Sequence, residues 1–370
     1  MKFRINAIAL SSLLILACGT IQRGLGQDPE PADMKHILFV GDSFTHGRYL
    51  PVRTYHNIPG TGGIGLTRPS PYVVDENYGT SVAARMESTE EYGPWGGIPG
   101  IFAELASEAK VPYDVHIEAI SATTLAENYE AARDVIAQPL WDSVVLQEAS
   151  FEPISASLSQ NPKSDPQAFC EAVTTIERGV HEVASQADIY LYSTWAPADT
   201  AYLDTTLDAR SFSDEEFRRS LEALTVAYRD AYIGAARYDG NIRGIAPVGD
   251  AWALAWREGI ANPDPFAGSA PGVALSFGYL AGSQPSTKDV PTDAGFHHPS
   301  KYGAYLNALV LFATVTGTDV RMFGEHEQAA RDLGISDQVA VALQRVAWEA
   351  GETRRKTDSR IEGDPCAPSN

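Results

Sequence analysis

Two short stretches of the chain hold residue types that could do chemistry together. The first is Gly41-Asp42-Ser43-Phe44-Thr45, which directly follows the apolar run Ile37 to Val40. A serine hydroxyl is a weak nucleophile until a base takes its proton, so Ser43 matters only if an imidazole can reach it. The second is His297-His298-Pro299-Ser300, ahead of the apolar run Ala304 to Val315. On residue type alone, adjacent histidines read as a surface turn, a base or a metal-ligand pair. No His-Glu-x-x-His or Cys-x-x-Cys partner is present to complete a metal centre, so no metal is expected there. Two acids are candidates to orient an imidazole: Asp293, close upstream of His298 with Gly295 between them, and Asp250, just past the run Gly244 to Val248.

These residues need a scaffold, and hydrophobic periodicity supplies one. Ile37 to Val40 is a short continuous apolar run of the kind that forms a buried parallel strand, and Tyr113 to Ile120, Ser143 to Gln147, Ile189 to Tyr192 and Gly244 to Val248 are the further strand candidates. Helical stretches separate them. Phe169, Val173, Ile176, Val180 and Val183 share one face, as do Phe217, Leu221, Leu224, Tyr228 and Ala231. Such alternation predicts a parallel sheet of five strands covered by helices on both sides, with right-handed crossovers. In such a fold ligands bind at the carboxyl ends of the strands, where Ser43, Gln147, Trp195 and Asp250 fall. Residues 46 to 96, rich in Gly, Pro and Tyr without a sustained period, predict a lid insertion. Residues 258 to 296 form a second long irregular segment, and a last helix starts near Ser336 with Val339, Leu343, Val346 and Ala350 on its apolar face. The expected organisation is a single domain over 36–357 and a tail over 358–370.

Ile37 to Thr45 resembles the first motif block of the SGNH, or GDSL-type, hydrolases, and Ser43 matches their nucleophile. The remaining blocks follow in order. Ala119 to Leu125 stands where that family supplies a backbone N–H to an oxyanion hole, with Ala122 in place of the usual Gly. An alanine serves there if its φ is negative. Where family members often carry Gly-x-Asn-Asp, this chain runs Leu146-Gln147-Glu148-Ala149, a pattern similar to a divergent branch. Gln147 has an amide able to donate to an oxyanion, or to act as a structural amide on the neighbouring loop. His298 to Gly303 resembles the family's catalytic His block, although position 295, where the acid is usual, is Gly. The resemblance therefore implies a three-layer, flavodoxin-like α/β sandwich. It also implies Ser43 as nucleophile, His298 as base and Asp293 as acid, with Asp250 the rival. Oxyanion donors would be Ser43, Ala122 and Gln147. Trp95 to Phe102, Thr194 to Ala196 and Pro247 to Trp252 look like segments of exported bacterial members of that branch. Asp42, His297 and Trp195 are candidates for substrate contact, Trp195 by stacking on a sugar or acyl group unless it is a core tryptophan.

The first residues are read as a targeting segment. Lys2 and Arg4 precede the largely apolar run Ile5 to Ala17, too short to span a bilayer, and Cys18 follows. This looks like a bacterial lipoprotein signal over residues 1–17, which implies lipidation of Cys18, a flexible tether over 18–35 and an envelope location reached by export; a secretory signal cut elsewhere gives export as well. With Cys18 taken by lipid in an oxidising compartment, Cys170 and Cys366 are expected to pair. The chain carries 28 Lys and Arg against 48 Asp and Glu, a net charge of −20, which argues against nucleic acid and against an acidic polymer as partner. The expected activity is hydrolysis of carboxylic esters, O-acetyl groups on a glycan above all, with no cofactor and with membrane contact only through the lipid. The alternative from another class is a carbohydrate-binding envelope lipoprotein whose active site has decayed.

Overall fold

Alternation at period two along the strands decides which core each side chain enters. In the computed structural model, which describes residues 34–58, 71–80, 93–201, 214–263, 272–276, 297–356 and 364–367, β1 spans Lys35–Gly41. Ile37 and Phe39 point into one apolar layer, and Leu38 and Val40 into the other. The same split holds in β5 (Ser143–Leu146), β6 (Asp188–Tyr192) and β7 (Gly244–Ala246), whereas β4 (Tyr113–Ala119) gives Tyr113, Val115, Ile117 and Ala119 to the first layer and turns the polar Asp114, His116 and Glu118 to the other side. The first layer packs against helices Gly97–Glu108, Lys301–Thr316 and Asp337–Lys356. The second packs against Leu125–Ile136, Pro166–His181 and Asp214–Asp239. Helix Lys301–Thr316 is apolar nearly all round and is buried through its middle.

All strands of the sheet are parallel, in the order β2 (Asn57–Ile58), β3 (Val73–Asp75), β4, β1, β5, β6, β7. The five expected strands form a contiguous set with β1 between β4 and β5, the flavodoxin-like arrangement. Among the described residues the sheet has seven strands rather than five, because the 46–96 segment contributes β2 and β3 beyond β4. Two-residue apolar runs are too short to give a strand signal; β3 forms because Val73 and Val74 bury themselves beside Val115 and His116 of β4. The described part of 46–96 is therefore not irregular throughout, since it supplies two strands to the sheet.

A second correction concerns the helix face ending at Val183. The helix stops at His181, and Val183 lies beyond it, exposed. Far along the chain, Cys366 is disulfide-bonded to Cys170 on that helix, and Pro365 lies where a Cβ on Gly234 would collide with it. Pro365 and Cys366 are thus fastened to the outer helices of the second layer.

Candidate active site

The nucleophile turn is built by local capping and by one amide reaching from the next strand. Asp42 is the N-cap of the short helix Ser43–His46, its Oδ1 accepting the Phe44 N–H at 2.8 Å. Gly47 in a left-handed conformation closes the helix. Gln147, just past β5, lies beneath this turn. Its Oε1 accepts the Asp42 N–H at 3.0 Å and the Thr45 hydroxyl at 2.7 Å, and its Nε2 donates to the Glu148 carbonyl at 2.7 Å. Gly41 is required here, since a Cβ would lie 2.4 Å from both Gln147 Oε1 and Thr45 Oγ1.

The histidine arrives from the other end of the chain. Ser300 caps helix Lys301–Thr316 by accepting the N–H groups of Tyr302 and Gly303, and its hydroxyl donates to the Ala274 carbonyl at 2.6 Å. Its N–H donates to the Leu275 carbonyl at 2.7 Å, and Pro299 bridges to Ser276. Gly303 lets the helix come close, for a Cβ there would lie 2.2 Å from the Leu275 carbonyl oxygen and 2.6 Å from the Trp252 ring. So held, His298 Nε2 stands 2.7 Å from Ser43 Oγ. Ser43 is 7% exposed and His298 5%, so the pair is sheltered and the serine still reaches solvent. The rings of Phe44 and Tyr49 meet the imidazole edge-on at 5.3 and 5.7 Å.

The loop after β4 is tied alongside. The Gly41 carbonyl accepts the Ile120 N–H at 2.9 Å and the Asn128 amide at 2.7 Å, and Ser121 Oγ lies 2.9 Å from His46 Nε2. His46 is fully buried against Trp95; burial, and after it electrostatic interaction with His298, Arg53 and Arg48, holds its pKa well below the ordinary value, so it is neutral. Ala122 has φ 59°, not the negative φ expected of an alanine donor. The turn keeps the left-handed backbone that suits the usual Gly, and alanine sustains it at a cost of about 1 kcal/mol.

The structure places the remaining sequence-derived candidates in several different roles. Trp195 is completely buried, stacked between Phe44 at 4.5 Å and Trp252 at 4.3 Å, with its N–H on the His297 carbonyl at 2.9 Å. It cannot stack on a ligand; it braces the nucleophile turn and the histidine segment against each other. The expectation that it contacts substrate is corrected, because two aromatic faces already cover both sides of the indole. Asp42 has a carboxylate oxygen committed to capping, and Gln147 is the structural amide rather than an outward-facing donor. Asp250 pairs with Arg229 at 3.9 Å on helix Val248–Arg257 and lines a cavity of about 520 Å³ between the outer helices, with Arg218, Arg257 and Arg354. Asp293 lies outside the described residues, as do residues 1–17 and Cys18.

Four residues that the sequence did not single out hold the geometry: Thr45, His46, Asn128 and Glu148. The buried Glu148 accepts the Leu125 N–H at 2.9 Å and the Ala149 N–H at 2.7 Å, so it joins the loops after β4 and β5. Burial pushes its pKa well above the carboxylate range. Thr45 and Glu148 lie within the motif blocks and carry a signal in that position, whereas Asn128 sits mid-helix and carries none.

No family model matches the chain, and no curated protein matches it. Among solved structures it is similar to a DUF4886 family protein from Bacteroides uniformis, at 15% identity over 88% of this chain and 98% of that one, with a TM-score of 0.47. It is similar to an extracellular lipase from Streptomyces rimosus at 12% identity over 74% and 98%, TM-score 0.42. An acetyl xylan esterase gives 12% identity over 75% and 98%, TM-score 0.38. The fold itself sets parallel strands about β1, a serine at the end of β1, and a histidine ahead of a buried helix in hydrogen-bond reach of that serine.

Proposed function

We propose that this chain is an exported serine hydrolase of carboxylic esters that works through an acyl-enzyme. The observation that carries the reading is the 2.7 Å contact between Ser43 Oγ and His298 Nε2, at the carboxyl end of β1 in a site sheltered yet open. His298 takes the serine proton as Oγ attacks the ester carbonyl, and returns it to the departing alcohol. The developing oxyanion is held by the Ser43 and Ala122 N–H groups, each such donor worth about 3 kcal/mol in the transition state. Asp293 is the proposed acid that orients the imidazole. Water then attacks the acyl-serine, with His298 as base, and frees the acid.

The substrate we propose is an O-acetylated glycan, supported by the lipoprotein-like signal ending at Cys18 and by the acidic net charge of −20, which disfavours polyanionic esters. A fluorophosphonate probe tests the reading: Ser43 labels rapidly in the wild-type protein, whereas Ser43→Ala and His298→Ala do not label and lose hydrolysis of p-nitrophenyl acetate. Retention by Ser43→Ala of more than a tenth of wild-type turnover refutes the assignment. Asp293→Asn lowers turnover by up to about four orders of magnitude if it is the acid, and leaves it near wild type if Ser43 and His298 act as a dyad.

A further inference from the structure

A second cluster with ligand chemistry lies at the end of the sheet opposite Ser43. His36 stands near the start of β1, and Asp114 and His116 near the start of β4. In the parallel register His36 faces Asp114 and Leu38 faces His116, so the three side chains share one side of the sheet. Asp114 Oδ2 is 3.3 Å from His36 Nδ1 and 3.1 Å from His116 Nε2, and all three atoms lie within 4.8 Å of one another. Behind them the buried Glu76 places Oε1 2.6 Å from His116 Nδ1.

That arrangement suits a metal ion more closely than a simple ion pair. Two donor atoms bound about 2.0–2.1 Å from a tetrahedral ion are about 3.3 Å apart, the size of both N···O separations here. The donor set of two imidazoles and one carboxylate suits zinc, with a fourth position left for water. Glu76 accepts the Nδ1–H of His116 and so fixes the tautomer whose Nε2 lone pair faces the other ligands, the carboxylate–histidine pairing that supports bound metals. Without a metal, a proton serves the same lone pair. Burial opposes charge on His116, yet hydrogen bonds to Asp114 and Glu76 outweigh it and raise its pKa; burial likewise acts upward on Asp114, and its two histidine partners push it below the ordinary value. Protons and a divalent ion compete for such sites. Access exists, because the His36 and Asp114 side chains are 17% and 14% exposed.

We propose that His36, Asp114 and His116 bind a divalent transition-metal ion of the zinc class, with Glu76 as the positioning residue, and that the ion clamps β1 to β4 away from the esterase site. The test uses the full mature protein, stripped with chelator and titrated with Zn2+ by calorimetry and by Trp141 fluorescence, whose ring meets His116 at 4.9 Å. One ion binds in the micromolar range or tighter and raises the thermal midpoint. His36→Gln, at a partly exposed strand end, weakens binding at least tenfold, and Glu76→Gln weakens it by about 10–100-fold. His326→Gln, which alters an exposed pair with Asp337, leaves it unchanged. His116→Gln sits between two carboxylates and can fail to fold, so His36→Gln decides. Wild-type binding weaker than about 100 μM, or equal affinity in wild type and His36→Gln, overturns the proposal.

Discussion

Replacing Gln147 by Leu separates the two roles that an amide at this position can have. In the structure the side chain is buried and satisfies the Asp42 N–H, the Thr45 hydroxyl and the Glu148 carbonyl. Leucine is of similar size and leaves little cavity, but it withdraws all three partners. The threonine hydroxyl can rotate to another acceptor; the two backbone groups cannot. At about 1–3 kcal/mol for each buried group left unsatisfied, the variant loses roughly 2–6 kcal/mol of stability. At about 2 °C per kcal/mol for a domain of this size, the melting temperature falls by roughly 4–12 °C. Turnover falls with it, because the turn carrying Ser43 loses its support and a displacement of about 1 Å costs on the order of a hundredfold. Calorimetry or urea unfolding, alongside kcat on p-nitrophenyl acetate, reads both quantities. A direct oxyanion donor behaves differently: its loss lowers kcat by about a hundred- to a thousandfold with little change in stability. A kcat loss of that size with a melting temperature within 1 °C of wild type refutes the structural role argued for Gln147.

Gly303→Ala forces a Cβ to within 2.2 Å of the Leu275 carbonyl oxygen, so the helix behind His298 must shift; kcat is expected to fall at least tenfold while far-UV circular dichroism stays unchanged. Glu118 is fully buried, hydrogen-bonded by Asn77, and burial lifts its pKa to about 8. A carboxyl whose folded pKa lies above its unfolded one binds more protons when folded, so its contribution falls as pH rises from about 4.5 to 8. Glu118→Gln should therefore match wild type in urea at pH 5 and be more stable at pH 9; equal midpoints at pH 9 count against the assignment. Cys366→Ser opens a disulfide that spans 196 residues of sequence and should lower stability by about 2–5 kcal/mol without changing kcat, as read by unfolding and by turnover.

Sequence by itself determined the elements whose signal is local. Four of the five central strands follow from short, mostly apolar runs, as strands buried on both faces require, and β4 from its alternation, with Tyr113, Val115, Ile117 and Ala119 on the apolar side. The helices follow from periodicity, and the turn at Gly41 to Thr45 from its place at a strand end. Pairings across 255 residues, such as Ser43 with His298, are not properties of any window of sequence; they could be expected only from the order of the motif blocks. The role of each side chain was decided by its neighbours in space. Trp195 became a brace because Phe44 and Trp252 occupy both its faces, and Gln147 became an anchor because the Asp42 N–H and the Thr45 hydroxyl point at it. Strand β3 forms on the edge that β4 offers and β2 on the edge of β3, and the His36, Asp114 and His116 cluster exists only because the parallel register sets β1 beside β4. Burial and hydrogen-bond partners are sums over distant segments, and only the folded chain brings those segments together.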